Sequence, residues 1–320
     1  MNRPAVLLVA AALLVSGTVV SRAADVVIGV PNWSSATVTA HVLKALLNSE
    51  FDLDVALAPG TNEEIFAAMD AGTEDIHPES WLPNHAALNA EYVLRRKSVI
   101  MSPKGVPARQ GICVTKATHD QGVTSVTDLT DPAKAKLFDT DGNGKGEIWI
   151  GAPDWSSTRI ERIRAKSYGY DKTMDLLEAD EEVAVTAIDA AMAADKPLVF
   201  FCYEPHHTFE LHGIVFLDEP PYDPRKWKVV TPDQDPDWLQ KSDAPVSWPP
   251  SFFHINYSKK LAEARPEVAA FLDAISLDVD TVSEMTYALI VEHRDPEDFA
   301  SDWIANNEDR ISGWRKAANR

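Results

Sequence analysis

Short apolar runs alternate with amphipathic stretches along this chain, and that alternation commits it to an α/β architecture in which strands are buried beneath helices. Val26-Val27-Ile28-Gly29-Val30 reads as a strand, and Val38, Val42, Ala45 and Leu46 share one face of the helix predicted after it. A second unit opens at Thr61, whose hydroxyl can cap a helix while Glu64 reaches back. It closes at Gly72, before the strand-like Asp75-Ile76-His77. The next segment, Pro78-Glu79-Ser80-Trp81-Leu82-Pro83, is expected to be a loop at the carboxyl end of a strand, where ligands of open α/β sheets gather. A third unit runs from Ile148-Trp149-Ile150 through Gly151-Ala152-Pro153-Asp154-Trp155 into a helix bearing Ile160, Ile163 and Tyr168, with Thr158 and Glu161 as its expected capping box. Residues 183–194 read as a helix leading into a strand over 198–203, which Glu204-Pro205 breaks. Residues 219–250 carry many Pro, Asp and Trp with no period and read as loop, whereas 261–314 reads as mostly helical.

Residues 1–23 have the form of a secretory signal: Arg3 at the start, an apolar run over 5–15, and small residues around Ser21-Arg22-Ala23. That run is too short to span a bilayer, so membrane insertion of the mature chain is not expected. With no Cys near the expected cleavage point, lipid attachment is not expected either, and the reading is a diffusing periplasmic protein. Loss of Arg3 and Arg22 leaves 28 of the 30 basic residues against all 49 acids, a formal charge of −21 that makes nucleic acid and anionic lipid poor partners. The two cysteines, Cys113 and Cys202, lie in apolar strand-like runs of an exported chain. One disulfide and two buried thiols are both compatible with that placement.

Trp81, Trp155 and Tyr203 each follow or end a predicted strand. A quaternary ammonium has no N–H to donate and carries a diffuse charge, so a protein grips it with the negative faces of several rings, and rings at converging strand ends suit that task. Trp33, at the end of the first strand, is a candidate for a further wall. Trp149, Trp227, Trp303 and Trp314 are assigned to packing. Ser156 and Ser157 open a helix whose first N–H groups point at any anion placed there.

Four pieces resemble the periplasmic glycine betaine/proline betaine binding proteins of ABC transporters. They are Trp81-Leu82-Pro83-Asn84-His85, the run from Lys136-Leu137-Phe138 through Asp139-Thr140-Asp141-Gly142-Asn143-Gly144-Lys145, Gly151-Ala152-Pro153-Asp154-Trp155, and Phe200-Phe201-Cys202-Tyr203-Glu204-Pro205. The resemblance implies a two-lobed, type II periplasmic binding protein fold with two crossover strands, expected near 109–114 and 251–257. Lobe one would be 24–108 plus 255–320 and lobe two 109–254. It implies an aromatic box of Trp81, Trp155 and Tyr203, a carboxylate-binding role for His85, and a permease as partner. Tyr203 departs from the family pattern, which places Trp there.

Glu79 and Glu204 flank the aromatic loops, and either, turned inward, would favour a cation without a carboxylate or an N-oxide. Choline and trimethylamine N-oxide are therefore alternative ligands to a betaine. No organic cofactor is expected. Asp139, Asp141, Asn143, Lys145 and Glu147 have the spacing of a calcium loop, although Ile150 stands where the last bidentate Glu belongs; a structural Ca²⁺ there is the expectation, and a plain Asp/Gly turn the alternative. A rival reading as a periplasmic hydrolase finds only His206-His207 beside Glu204, two side chains that a strand would send to opposite faces. A third reading, an adhesion or scaffold protein, predicts no small-molecule binding.

Overall fold

The computed structural model describes residues 24–319; the expected signal at 1–23 lies outside the described residues. Strand β1 (Val26–Val30) is parallel to β2 (Val55–Pro59) and to β3 (Ile76–Leu82). Helix α1 (Ser34–Phe51) joins β1 to β2 and buries Val38, Val42, Leu43, Leu46 and Leu47 against them. Helix α2 (Asn62–Ala71) begins with the reciprocal Thr61/Glu64 capping box and ends at Gly72, whose φ of 77° is a conformation that glycine adopts without a Cβ penalty.

Strand β4 (Val99–Thr115) is the first crossover. Its segment from Val99 to Ala108 pairs antiparallel with β9 (Ser251–Ser258), and from Arg109 onward it pairs with β7 (Val199–Glu204). Lobe two continues with β5 (Gly146–Trp149), α3 (Ser156–Tyr168), β6 (Met174–Leu177) and α4 (Glu181–Ala193). The strand order is β2-β1-β3-β9-β4-β7-β5-β6, with the short β8 (Ile214–Phe216) on β4. The chain returns to lobe one just before β9, because Trp248 is bonded to Glu161 in lobe two while Ser251 already pairs with Ala108. The whole of β9 thus lies in the lobe-one sheet, and we propose that the second crossing, expected near 251–257, lies at Pro249-Pro250. The division we propose is 24–108 with 251–319, and 109–250. Helices α5 (Lys259–Ala264), α6 (Pro266–Ala274), α7 (Val279–Ile290), α8 (Pro296–Asn306) and α9 (Glu308–Ala318) follow, α7 and α8 packing on α1.

Three local expectations are corrected. The segment after His77 is not a loop: β3 runs on to Leu82, with a register shift against β9 between His77 and Ser80 that re-aims the strand. Thr158 and Glu161 form no capping box. The Thr158 hydroxyl bonds Ala152 O at 2.7 Å, and the Glu161 carboxylate is buried, accepting from Trp248 Nε1 at 2.6 Å and paired with Arg164. His206 and His207 follow the end of β7, so strand alternation does not separate them, and their buried rings lie 4.3 Å apart. Cys113 and Cys202, on the adjacent strands β4 and β7 with Cα atoms 5.8 Å apart, form a disulfide.

Candidate functional site

Four rings converge where the two lobes face each other. Trp33 is the residue before α1, Trp81 is the penultimate residue of β3, Trp155 is the residue before α3, and Tyr203 lies on β7. They form a chain of near-perpendicular contacts: Trp33 to Trp155 at 6.3 Å and 84°, Trp155 to Tyr203 at 6.0 Å and 77°, Tyr203 to Trp81 at 5.5 Å and 84°. All four are buried and line a small cavity together with Phe201, Asn62, Asn84, His85, Gln110, Ser156 and Ser157. Among the described residues, no Lys or Arg lines it. Gly151 shapes the turn that presents Trp155: its φ is 124°, and a Cβ there would collide with Thr158 Oγ1.

Glu79 stands behind two walls of the box, fully buried. One oxygen accepts from Trp33 Nε1 at 3.0 Å, Ser35 Oγ at 2.7 Å and Trp81 Nε1 at 3.4 Å, and the other from Thr39 Oγ1 at 2.8 Å. Burial raises its pKa above the usual carboxylate range, and these four donors oppose the rise. It thus orients the indoles instead of projecting into the cavity. Glu204, half-buried opposite Arg109, lies outside the lining.

The other end of the cavity offers donors. His85 Nδ1 accepts from the backbone N of Trp81 at 3.2 Å, which places the ring proton on Nε2. Burial, aided by the charge of Arg159, lowers the pKa of His85 to about 3, so the ring is neutral at physiological pH and is a donor without being a cation. His77 uses the same logic. Its Nδ1 accepts from Glu79 N, so its Nε2–H donates to Asn62 Oδ1 at 2.9 Å, which leaves the Asn62 amide NH₂ for the cavity that it lines. Ser156 and Ser157 open α3 with no side-chain cap on its N-terminus, so first-turn N–H groups remain for an anionic group. Asn84 and Gln110 bond to each other across lobe one and β4 at 2.7 and 2.9 Å.

Glu181, absent from the residues singled out by sequence, holds Tyr203. The buried Glu181 carboxylate accepts from the Tyr203 hydroxyl and, at 2.7 Å, from the backbone N–H of Ser34, with His206 Nε2 at 3.4 Å. Burial pushes its pKa up, but the bonds from His206, Tyr203 and Ser34 outweigh that and hold it low.

The family described as the substrate binding domain of ABC-type glycine betaine transport systems matches residues 24–306. The chain belongs to this family. The family is one of substrate-binding domains of transport systems. The glycine betaine/proline betaine-binding periplasmic protein of Salmonella typhimurium is 22% identical over 278 residues, covering 79% of this chain and 77% of the relative. A trimethylamine N-oxide-binding protein from Pelagibacter ubique is 24% identical over 315 residues, 92% of this chain and 93% of the relative. Among solved structures, an ABC-transporter choline binding protein in complex with choline superposes with a TM-score of 0.71 at 17% identity, covering 90% of each chain. These likenesses establish the two-lobed fold. The buried ring cluster fits the aromatic cage expected of Trp81, Trp155 and Tyr203, with Trp33 as a fourth wall.

Three of the five residues of the expected calcium loop come together. Carboxylate oxygens of Asp139, Asp141 and Glu147 lie within 4.8 Å of one another, and Glu147 Oε1 is buried with no hydrogen-bond partner. Asp139 already accepts from the backbone N–H of Gly142 and Gly144, and the Asn143 and Lys145 side chains both turn to Asp175.

Proposed function

We propose that this protein is a periplasmic binding protein that captures a small betaine-like quaternary-ammonium solute and presents it to the permease of an ABC importer. The observation that carries the reading is the box of four buried rings with no Lys or Arg among the described residues of its lining, facing neutral donors from His85, Asn62 and the start of α3. A methylated ammonium fits the ring faces, each contributing about 0.5–2 kcal/mol once water is excluded, and a carboxylate fits the donors. The ligands named for the relatives in Salmonella and Pelagibacter support the same chemistry. Trimethylamine N-oxide is the second reading, favoured by the similarity of the Pelagibacter protein along 92% of this chain, and its single oxygen would need only one or two of these donors. Calorimetry with glycine betaine, proline betaine, choline, trimethylamine N-oxide and a neutral isostere bearing carbon in place of the quaternary nitrogen tests both readings. The expected result is binding of at least one methylated amine and far weaker binding of the isostere; equal binding of the isostere would remove cation recognition and the function built on it.

We also propose a structural Ca²⁺ held by Asp139, Asp141 and Glu147, with oxygen atoms of Asn143 and Lys145 completing the set. The partnerless Glu147 Oε1 supports it.

A further inference from the structure

Helix α1 runs for 18 residues yet begins without a cap of its own: Trp33, the residue before it, makes no side-chain cap bond, and the first turn carries no acid. The N-terminus of such a helix leaves N–H donors and a positive dipole end unsatisfied. The missing acceptor comes from the opposite lobe. Glu181, in the first turn of α4, places Oε2 2.7 Å from the backbone N of Ser34, while its other oxygen takes the hydroxyl of Tyr203. A second cage wall is tied to the same lobe-one turn, since Trp155 Nε1 donates to Asn32 Oδ1 at 2.9 Å and Asn32 Nδ2 donates to Asp154 Oδ1 at 3.0 Å.

We propose that Glu181 is a closure-coupling residue, a carboxylate in lobe two that caps α1 of lobe one in trans only when the cleft is shut and that joins this cap to the Tyr203 wall of the cage. The inference rests on the reading of the cleft as a solute site. Opening the lobes strips the start of α1 of the only side-chain acceptor it has among the described residues and leaves the carboxylate with its lobe-two partners alone, so the closed form gains a charge-assisted bond that the open form lacks. A ligand that fixes Tyr203 from the cavity side fixes the acceptor of that bond from behind. Glu181 touches no ligand in this scheme and acts through the rings and the helix.

Two substitutions separate the cap from the fold of lobe two. Glu181→Ala removes the carboxylate but also orphans the Tyr203 hydroxyl. Ser34→Pro deletes the backbone donor together with the buried Ser34 hydroxyl, for which Ser34→Ala is the control: Ser34 is the first helical residue, where proline is tolerated, and Trp33 already has the extended conformation (φ −129°, ψ 155°) that precedes proline. With glycine betaine as the probe, both variants are expected to bind about tenfold or more weakly through faster release, and the double variant no more weakly than the worse single. Wild-type affinity and release rate in both variants would overturn the proposal while leaving the functional reading intact. If the wild type binds glycine betaine, choline and trimethylamine N-oxide no better than a neutral isostere, the functional reading fails instead. The cap is then judged by small-angle scattering of the ligand-free protein, where a more open Glu181→Ala particle supports it and identical profiles overturn it.

Discussion

The Tyr203 hydroxyl donates to Glu181, so the ring face is what it offers a ligand. Tyr203→Phe is therefore expected to leave the preference for a quaternary amine over its neutral isostere unchanged while lowering the melting temperature, because a buried carboxylate loses a donor, at a cost of about 1–3 kcal/mol. A collapse of that preference in calorimetry would place the hydroxyl on the ligand instead. Trp81→Ala and Trp155→Ala should each cost about 1–3 kcal/mol of binding with the fold retained, read by the same titrations. His85 supplies a pH test. Its folded pKa is depressed to about 3, against about 6.5 in the unfolded chain, so between those values the unfolded state takes up a proton that the native state refuses. Relative to His85→Gln, wild-type stability should fall with acidification below pH 6.5 by up to about 1.4 kcal/mol per pH unit, as chemical denaturation would measure. Nitrogen-15 spectra should meanwhile show a neutral Nε2–H imidazole in the folded protein across that window.

At the scale of elements, the Cys113–Cys202 bond pins β4 to β7 within lobe two across a sequence separation of 89 residues. Reduction is expected to cost about 2–4 kcal/mol of stability, and titration of the unfolded, unreduced chain should find no free thiol; two would contradict the bond. Chelation should lower the melting temperature if Ca²⁺ fills the 139–147 loop, and Asp141→Ala should abolish that sensitivity; an identical melt with and without chelator speaks for a plain turn. What was legible in the sequence was what is local. Thr61 and Glu64 cap α2 as their spacing predicts, because both partners sit in one turn with nothing else competing for them. Thr158 and Glu161 have the same spacing and fail, because Trp248, from elsewhere in the fold, and Arg164, one turn along the same helix, claim the carboxylate. Trp81 was singled out by its motif, but the extension of β3 that carries it depends on pairing with β9, far along the chain. Phe201 was recoverable, being two residues from Tyr203 on one strand face; Gln110 and Glu181 were not, since their partners are set by strands and lobes meeting in space.

The molecule as a whole carries a formal charge of −19, and −21 once residues 1–23 are set aside, whereas the cavity itself is lined by rings and neutral donors. These two facts act on different kinetic steps. Surface charge acts through solvent, over a screening length of about 10 Å at moderate ionic strength, and so governs the approach of a ligand. The buried carboxylates of Glu79 and Glu181 are shielded from salt and govern its retention. A net cation such as choline should be drawn toward the protein at low salt, and its association rate should fall as salt is added. Glycine betaine and trimethylamine N-oxide, with no net charge, should associate at rates nearly independent of salt. Dissociation should be insensitive to salt for all three, because the exposed Glu63–Arg159 pair across the cleft rim contributes only about 0–1 kcal/mol and the interior contacts are unscreened. Stopped-flow fluorescence of the cage tryptophans measures both rates. Salt-dependent association for choline alone is the expected outcome, whereas salt-dependent dissociation would mean that the rim ion pair, and not the cage with its trans cap, holds the lobes shut.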